Sequence, residues 1–134
     1  MTTVKKRHEL PFWESKIGYK VYVKTSDENA FQTSSEENSE LHKKDVEYKS
    51  DRSKVVYSQK HQPYNLCYSV FRTKHAAESA MHYLTQKVKK KRYVVLPVEY
   101  WGWITEGYKQ FMVSPVKAPR YFRVDVAEKI MLGQ

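Results

Sequence analysis

A single cysteine, Cys67, leaves this 134-residue chain without an intramolecular disulfide, and its place in the apolar run NLCYSVF suits a small buried thiol in a reducing compartment. Glycine and proline are also scarce, at four and five residues, which excludes collagen-like and low-complexity chains. No apolar run approaches the length of a membrane span, and the opening MTTVKKRHELP carries charge with no apolar stretch behind it. Neither a spanning segment nor a secretory signal is expected, so cytoplasmic residence without a membrane partner follows.

Assembled chemistry is missing as well. The chain has no glycine-rich phosphate loop and no Ser/His/Asp motif. Five histidines, His8, His42, His61, His75 and His82, invite a metal hypothesis, but no second cysteine supports it. His75 and His82 lie two helical turns apart, about 10 Å, too far to share one zinc ion. Cys67 in an apolar strand reads as inert rather than as a nucleophile. Among the acids outside the polar segment, Glu78, Glu99 and Glu106 are scattered. Glu99 and Glu106 could face each other across a turn at 103–107, although surface acids balancing nearby lysines are the plainer reading. The expectation is no catalytic site, no metal and no cofactor.

What is abundant is aromatic side chain and positive charge. Eleven Tyr, five Phe and three Trp can supply much of a core, yet nineteen rings will not all fit inside one. The length fits a single domain over 1–134. The formal charge of +9 is unevenly spread. Residues 27–51 hold eight acids against three bases, a net −5, whereas the remainder holds 21 bases against seven acids, a net +14. Such segregation gives part of the surface a one-signed field that attracts polyanions or acidic proteins.

Along the chain, KIGYKVYVK at 16–24 alternates with period two, placing Ile17, Tyr19, Val21 and Val23 on one side and Lys16, Lys20, Tyr22 and Lys24 on the other. The stretch at about 26–44 begins polar and acidic and reads as a loop or insertion. Short strands are expected near 46–48, 54–58 and 65–71. TKHAAESAMHYLTQKVKKK repeats Ala77, Ala80, Met81, Leu84 and Val88 at helical spacing, with Thr73 as the N-cap. RYVVLPVEY reads as a strand whose Pro97 argues for an edge or a bulge. YKQFMVSPV and PRYFRVDV read as further strands, and AEKIML as either a short helix or a continuation. The resulting fold class is α+β, an antiparallel sheet with one main amphipathic helix packed on it.

The stretch QKVKKKRYVVLPVEYWGW carries the functional question. Lys87, Lys89, Lys90, Lys91 and Arg92 form a cationic cluster of the kind that binds phosphates. Tyr93, Trp101 and Trp103, with Tyr100 and Tyr108 nearby, could offer faces for unpaired bases, and Arg120, Tyr121, Phe122 and Arg123 repeat the interleaved theme. Solvated lysines at a helix C-terminus need no ligand, however, and rings in such a run more often pack a core. With Val94, Leu96 and Val98 inward, Tyr93 and Val95 take the other face, so one face could pack while the other binds. The expectation is a non-catalytic nucleic-acid-binding module, for single strands or RNA, using Lys87, Lys89, Lys90, Lys91, Arg92, Tyr93, Trp101, Trp103, Arg120, Tyr121 and Arg123. The alternative is a small protein-binding module or inhibitor docking on an acidic partner, because Tyr, Trp and Arg also anchor protein interfaces.

Overall fold

The computed structural model describes residues 2–9, 14–34, 40–49, 56–57, 63–64, 68–110 and 120–133. In chain order the elements are β1 (Thr2–Glu9), β2 (Lys16–Lys24), β3 (Ala30–Thr33), β4 (Leu41–Lys43), β5 (Glu47–Lys49), β6 (Val56–Tyr57), β7 (Pro63–Tyr64), β8 (Tyr68–Val70), α1 (Lys74–Lys87), β9 (Tyr93–Gln110) and β10 (Tyr121–Leu132). The chain is mostly antiparallel sheet with one helix packed on it, and the sheet curls toward a barrel. Its strand order is β4-β3-β2-β9-β10-β5, with β1 added to β9 and β8 to β10, while β6 and β7 pair separately.

Two contacts curl the sheet. Phe71, just past β8, exchanges backbone hydrogen bonds with Tyr19 of β2, at 2.7 and 2.8 Å, and so links the β10 side back to β2. At the other end Asp45 N–H donates to the Leu132 carbonyl at 3.2 Å and Lys44 bridges Leu132 in parallel, which joins the β4 corner to β10. Curling creates two cores. The interior one gathers Tyr22, Phe31, Tyr68, Val70, Val98, Tyr100, Ile104, Ile130 and Leu132, whereas the outer one packs Val21, Phe71, Phe122, Val124 and Val126 beneath Ala77, Ala80 and Leu84 of α1.

The helix forms where its local signals agree. Thr73, extended at φ −126° and ψ 152°, accepts a hydrogen bond from Ala76 N–H at 3.1 Å. The small residues Ala77 and Ala80 let the axis approach the sheet. The helix ends as Val88 turns extended, its N–H still donating to Leu84 at 2.7 Å, and Lys87 complements the negative end of the helix dipole.

Several strand expectations need correction. The alternation in β2 is real, but both of its faces are covered: Val21 lies under the helix, while Tyr22 and Lys20, expected outside, are buried on the interior side. Ile17, expected inward, is 63 % exposed at the outer end of the strand. The acidic stretch expected to be a loop contributes β3 and β4, and Phe31 joins the interior core. β9 is a central strand rather than an edge. Pro97 is tolerated there because its carbonyl, and hence its missing N–H, faces the end of β10, where Gly133 N–H donates to Pro97 O at 3.0 Å just beyond the Leu132–Val98 pair. No turn occurs at 103–107, and AEKIML continues β10. Cys67, His61 and most of the strand expected over 108–116 lie outside the described residues.

Two glycines are structural necessities. Gly102 has φ +82° and lies where two residues of β9 oppose the single Glu128 of β10, a bulge that bends the strand. A Cβ on Gly18 would sit 2.5 Å from Val70 Cγ1 and 2.7 Å from the Phe71 carbonyl. Gly18→Ala should therefore lower the unfolding free energy by about 2 kcal/mol through overpacking of the β2–β8 junction. Urea denaturation checks this, and a loss below about 0.5 kcal/mol would show that the junction can relax.

Candidate functional site

The basic run after α1 folds back onto the end of β2. Arg92 O accepts from Lys24 N–H at 2.8 Å, fastening the α1–β9 turn to the strand, and Val23, Lys24, Thr25, Gln32, Lys90, Lys91 and Arg92 enclose an open cleft of about 450 Å³. Thr25 stiffens the β2–β3 hairpin, donating to Ala30 O at 2.9 Å and accepting from Asp27 N–H at 3.1 Å. Lys87, at the helix end, sets its Nζ 5.9 Å from the Tyr83 ring centre, and the Arg120 guanidinium lies 5.8 Å from the same ring and 4.7 Å from Phe122. Cations from three separated segments thus lie along one end of the molecule: Lys24, then Lys87, Lys89, Lys90, Lys91 and Arg92, then Arg120. All seven are exposed, and none has a carboxylate partner among the described residues.

The aromatic half of the expected site is less open. Tyr93 is half-buried against the cluster beneath α1, so the face expected to be free for binding is a packed one. Trp101 is half-buried in β9, and the Trp103 side chain lies outside the described residues. Tyr121 is 50 % exposed. Arg123 shares its side of β10 and approaches Glu106 at 3.5 Å. Lys24 was missed as a site residue. The period-two pattern did place it on the polar end of a strand, but nothing local indicates that residues 90–92 return to it.

Elsewhere, polar groups are bound to one another. Asp125, fully buried in β10, accepts from Arg72 Nε at 2.9 Å and from the Tyr100 hydroxyl at 2.8 Å. Arg72 also reaches Glu106 at 2.6 Å. These hydrogen bonds hold the guanidinium well above its usual range, and burial together with Asp125 holds the Tyr100 phenol well above its own. Glu99 instead accepts from Ser15 Oγ at 2.7 Å, so Glu99 and Glu106 serve different partners.

Inside the β3–β4 corner, His42 is completely buried. Its Nε2 donates to Glu40 at 2.9 Å, its Nδ1 accepts from the Tyr22 hydroxyl at 2.9 Å, and its ring stacks on Tyr48 with centres 4.1 Å apart. The carboxylate can only accept, which fixes this tautomer. Burial lowers the His42 pKa, the Glu40 hydrogen bond opposes that shift, and nearby Lys20 adds to it. Tyr22 is raised well above the usual phenol value, chiefly by burial. The arrangement locks β4 to β2, with His42 and Tyr22 sealed inside and the Glu40 carboxylate reaching the surface.

Among the described residues no three His, Cys, Asp or Glu side chains gather to hold a metal ion, and His75 and His82 are exposed on α1. No described helix is long and apolar enough to cross a membrane. The sequence matches no protein-family model, no curated protein and no solved structure.

Two outcomes test these networks. Arg72→Ala should cost about 3 kcal/mol by leaving the Asp125 carboxylate buried beside Tyr100 alone, and it should cost more than Glu106→Ala at the half-exposed end of the same network. Urea unfolding of both variants decides the order. Because the folded pKa of His42 lies below its unfolded value, its contribution is present above about pH 6.5 and is lost as pH falls through the folded value. The urea midpoint should fall between pH 7.5 and 5.5, and His42→Phe should flatten that dependence even though it lowers stability overall.

Proposed function

We propose that this chain is a non-catalytic nucleic-acid-binding module that holds a single strand or RNA by its backbone. The observation that carries the reading is the convergence of Lys24, Lys87, Lys89, Lys90, Lys91, Arg92 and Arg120 along one end of the molecule without carboxylate partners among the described residues. Cations left unpaired in this way release counterions from a polyanion, a driving force that is independent of base sequence. Tyr121, beside Arg120, offers one stacking surface, and a stacked base is worth about 1–3 kcal/mol. Tyr93 serves the packing beneath α1 in this reading, so the interface depends more on phosphate contacts than on a row of stacked bases.

Fluorescence anisotropy with a labelled single-stranded oligonucleotide over a salt series tests the proposal. The affinity should fall steeply with salt. Replacing Lys90, Lys91 and Arg92 together by Ala should reduce the log–log slope by about 2, since each phosphate no longer neutralised takes about 0.7 from it. An unchanged slope, or no binding, refutes the proposal. Equal binding of polyglutamate with the same salt dependence would shift the assignment to an acidic protein partner.

A further inference from the structure

We infer that the cleft between the β2–β3 hairpin and the α1–β9 turn is an end-binding pocket, which takes the terminal phosphate monoester of a nucleic-acid strand. This rests on the nucleic-acid reading above and goes beyond it by separating one part of the basic surface from the rest. Four of the seven cations, Lys24, Lys90, Lys91 and Arg92, line this one concavity, while Lys87 and Arg120 lie on the adjoining surface around Tyr83. Its volume of about 450 Å³ suits one nucleotide end better than a tract of strand.

The charge of the ligand follows from that concentration. An internal phosphodiester brings one negative charge, whereas a terminal monoester brings about −1.5 to −2 near pH 7 and three acceptor oxygens. Four cations converging on one cleft match the more highly charged end. The described lining residues include no aromatic ring, so recognition in the cleft falls to the phosphate rather than to a stacked base. The walls are preorganised in the backbone, through the Lys24–Arg92 hydrogen bond and the Thr25 bonds across the hairpin, while the cationic heads have no carboxylate partner among the described residues.

The hairpin also makes the cleft a dead end. Asp27 and Glu28, two and three residues past Thr25, are both exposed at the hairpin turn. A strand continuing in that direction would bring further phosphates against two carboxylates, whereas a strand leaving toward Lys87 and Arg120 meets further cations. The phosphate is therefore terminal on the hairpin side, and the polynucleotide extends along the remaining cations.

The experiment compares one oligonucleotide sequence in three forms, 5′-phosphorylated, 3′-phosphorylated and with both ends as hydroxyls, by anisotropy on the intact chain. One phosphorylated form should bind about tenfold tighter or better than the hydroxyl form, since a charge-assisted hydrogen bond is worth a factor of that order. Which of the two forms gains identifies the end that is read. Arg92→Ala should erase the phosphate-dependent gain, whereas Arg120→Ala should weaken all three forms by a similar factor and leave the gain intact. In the unaltered protein a nucleoside monophosphate should compete and the corresponding nucleoside should not, a result that depends on no variant folding correctly. Equal affinity for all three forms overturns the end pocket while leaving backbone binding in place. Binding of none of them removes the nucleic-acid reading, and this inference with it.

Discussion

The paired ladder along β9 is the constraint from which the rest follows. Its 18 residues bond to β10 on one edge, from Gln110–Tyr121 to Val98–Leu132, and to β2 and then β1 on the other. A straight strand of that length would span about 60 Å at 3.3 Å per residue, while a compact domain of this size is only about 35–40 Å across. The strand must bend, and the bulge at Gly102 opposite Glu128 supplies the bend. Once the ladder curves, the sheet has an inside and an outside. The helix covers the outside of the first half, the interior fills with Tyr22, Val98, Tyr100 and Ile130, and the α1–β9 turn, with its cations, is left at the end of the sheet.

Closing a sheet on itself also encloses polar groups that an open sheet would leave to water, and each then needs an internal partner. Asp125 and Tyr100 face the interior from adjacent strands and are satisfied by each other and by Arg72. At the opposite corner the Tyr22–His42–Glu40 chain does the same for β4, and buried Lys20 donates to the Ser69 carbonyl at 2.9 Å. These clusters combine residue types found in catalytic sites. Their buried members, Asp125 with Tyr100 and Tyr22 with His42, hydrogen-bond to one another across the sheet, while Arg72 and Glu40 carry the two networks to the surface.

The elements legible in the sequence were those whose signals are local. Thr73 capping Ala76, with Ala77, Ala80 and Leu84 at helical spacing, predicts α1, and the alternation of KIGYKVYVK gives the bounds of β2 as observed. The basic run was legible as a cluster. What was not legible depended on partners distant in the chain. Phe31 and His42 lie in a polar stretch with no period, and they become core only because β3 extends β2 and β4 meets β10. The two-sided burial of β2 could not be read from alternation, which separates the faces but does not say whether the second is covered. Pro97 misled for a similar reason: the rule against central-strand proline concerns the missing donor, and here β10 ends where that donor would have pointed.

The pairing pattern among the described residues leaves the cations at the end of the sheet without carboxylate partners. The acids with described partners are spent locally: Glu40 on His42, Glu47 on Lys129, Glu78 on Lys74, Glu99 on Ser15, and Glu106 and Asp125 on Arg72. None of these contacts draws on the cations at 24, 87, 89–92 or 120. At physiological salt a charge is felt over about 8 Å, so a carboxylate elsewhere on the molecule does little to offset a cluster at one end. The cluster also exceeds what α1 can use, because the helix terminus carries only about half a negative charge and Lys87 already stands in its last turn. The excess over what the helix dipole can use, rather than the mere presence of lysines beside a helix, is what the proposed nucleic-acid contact rests on.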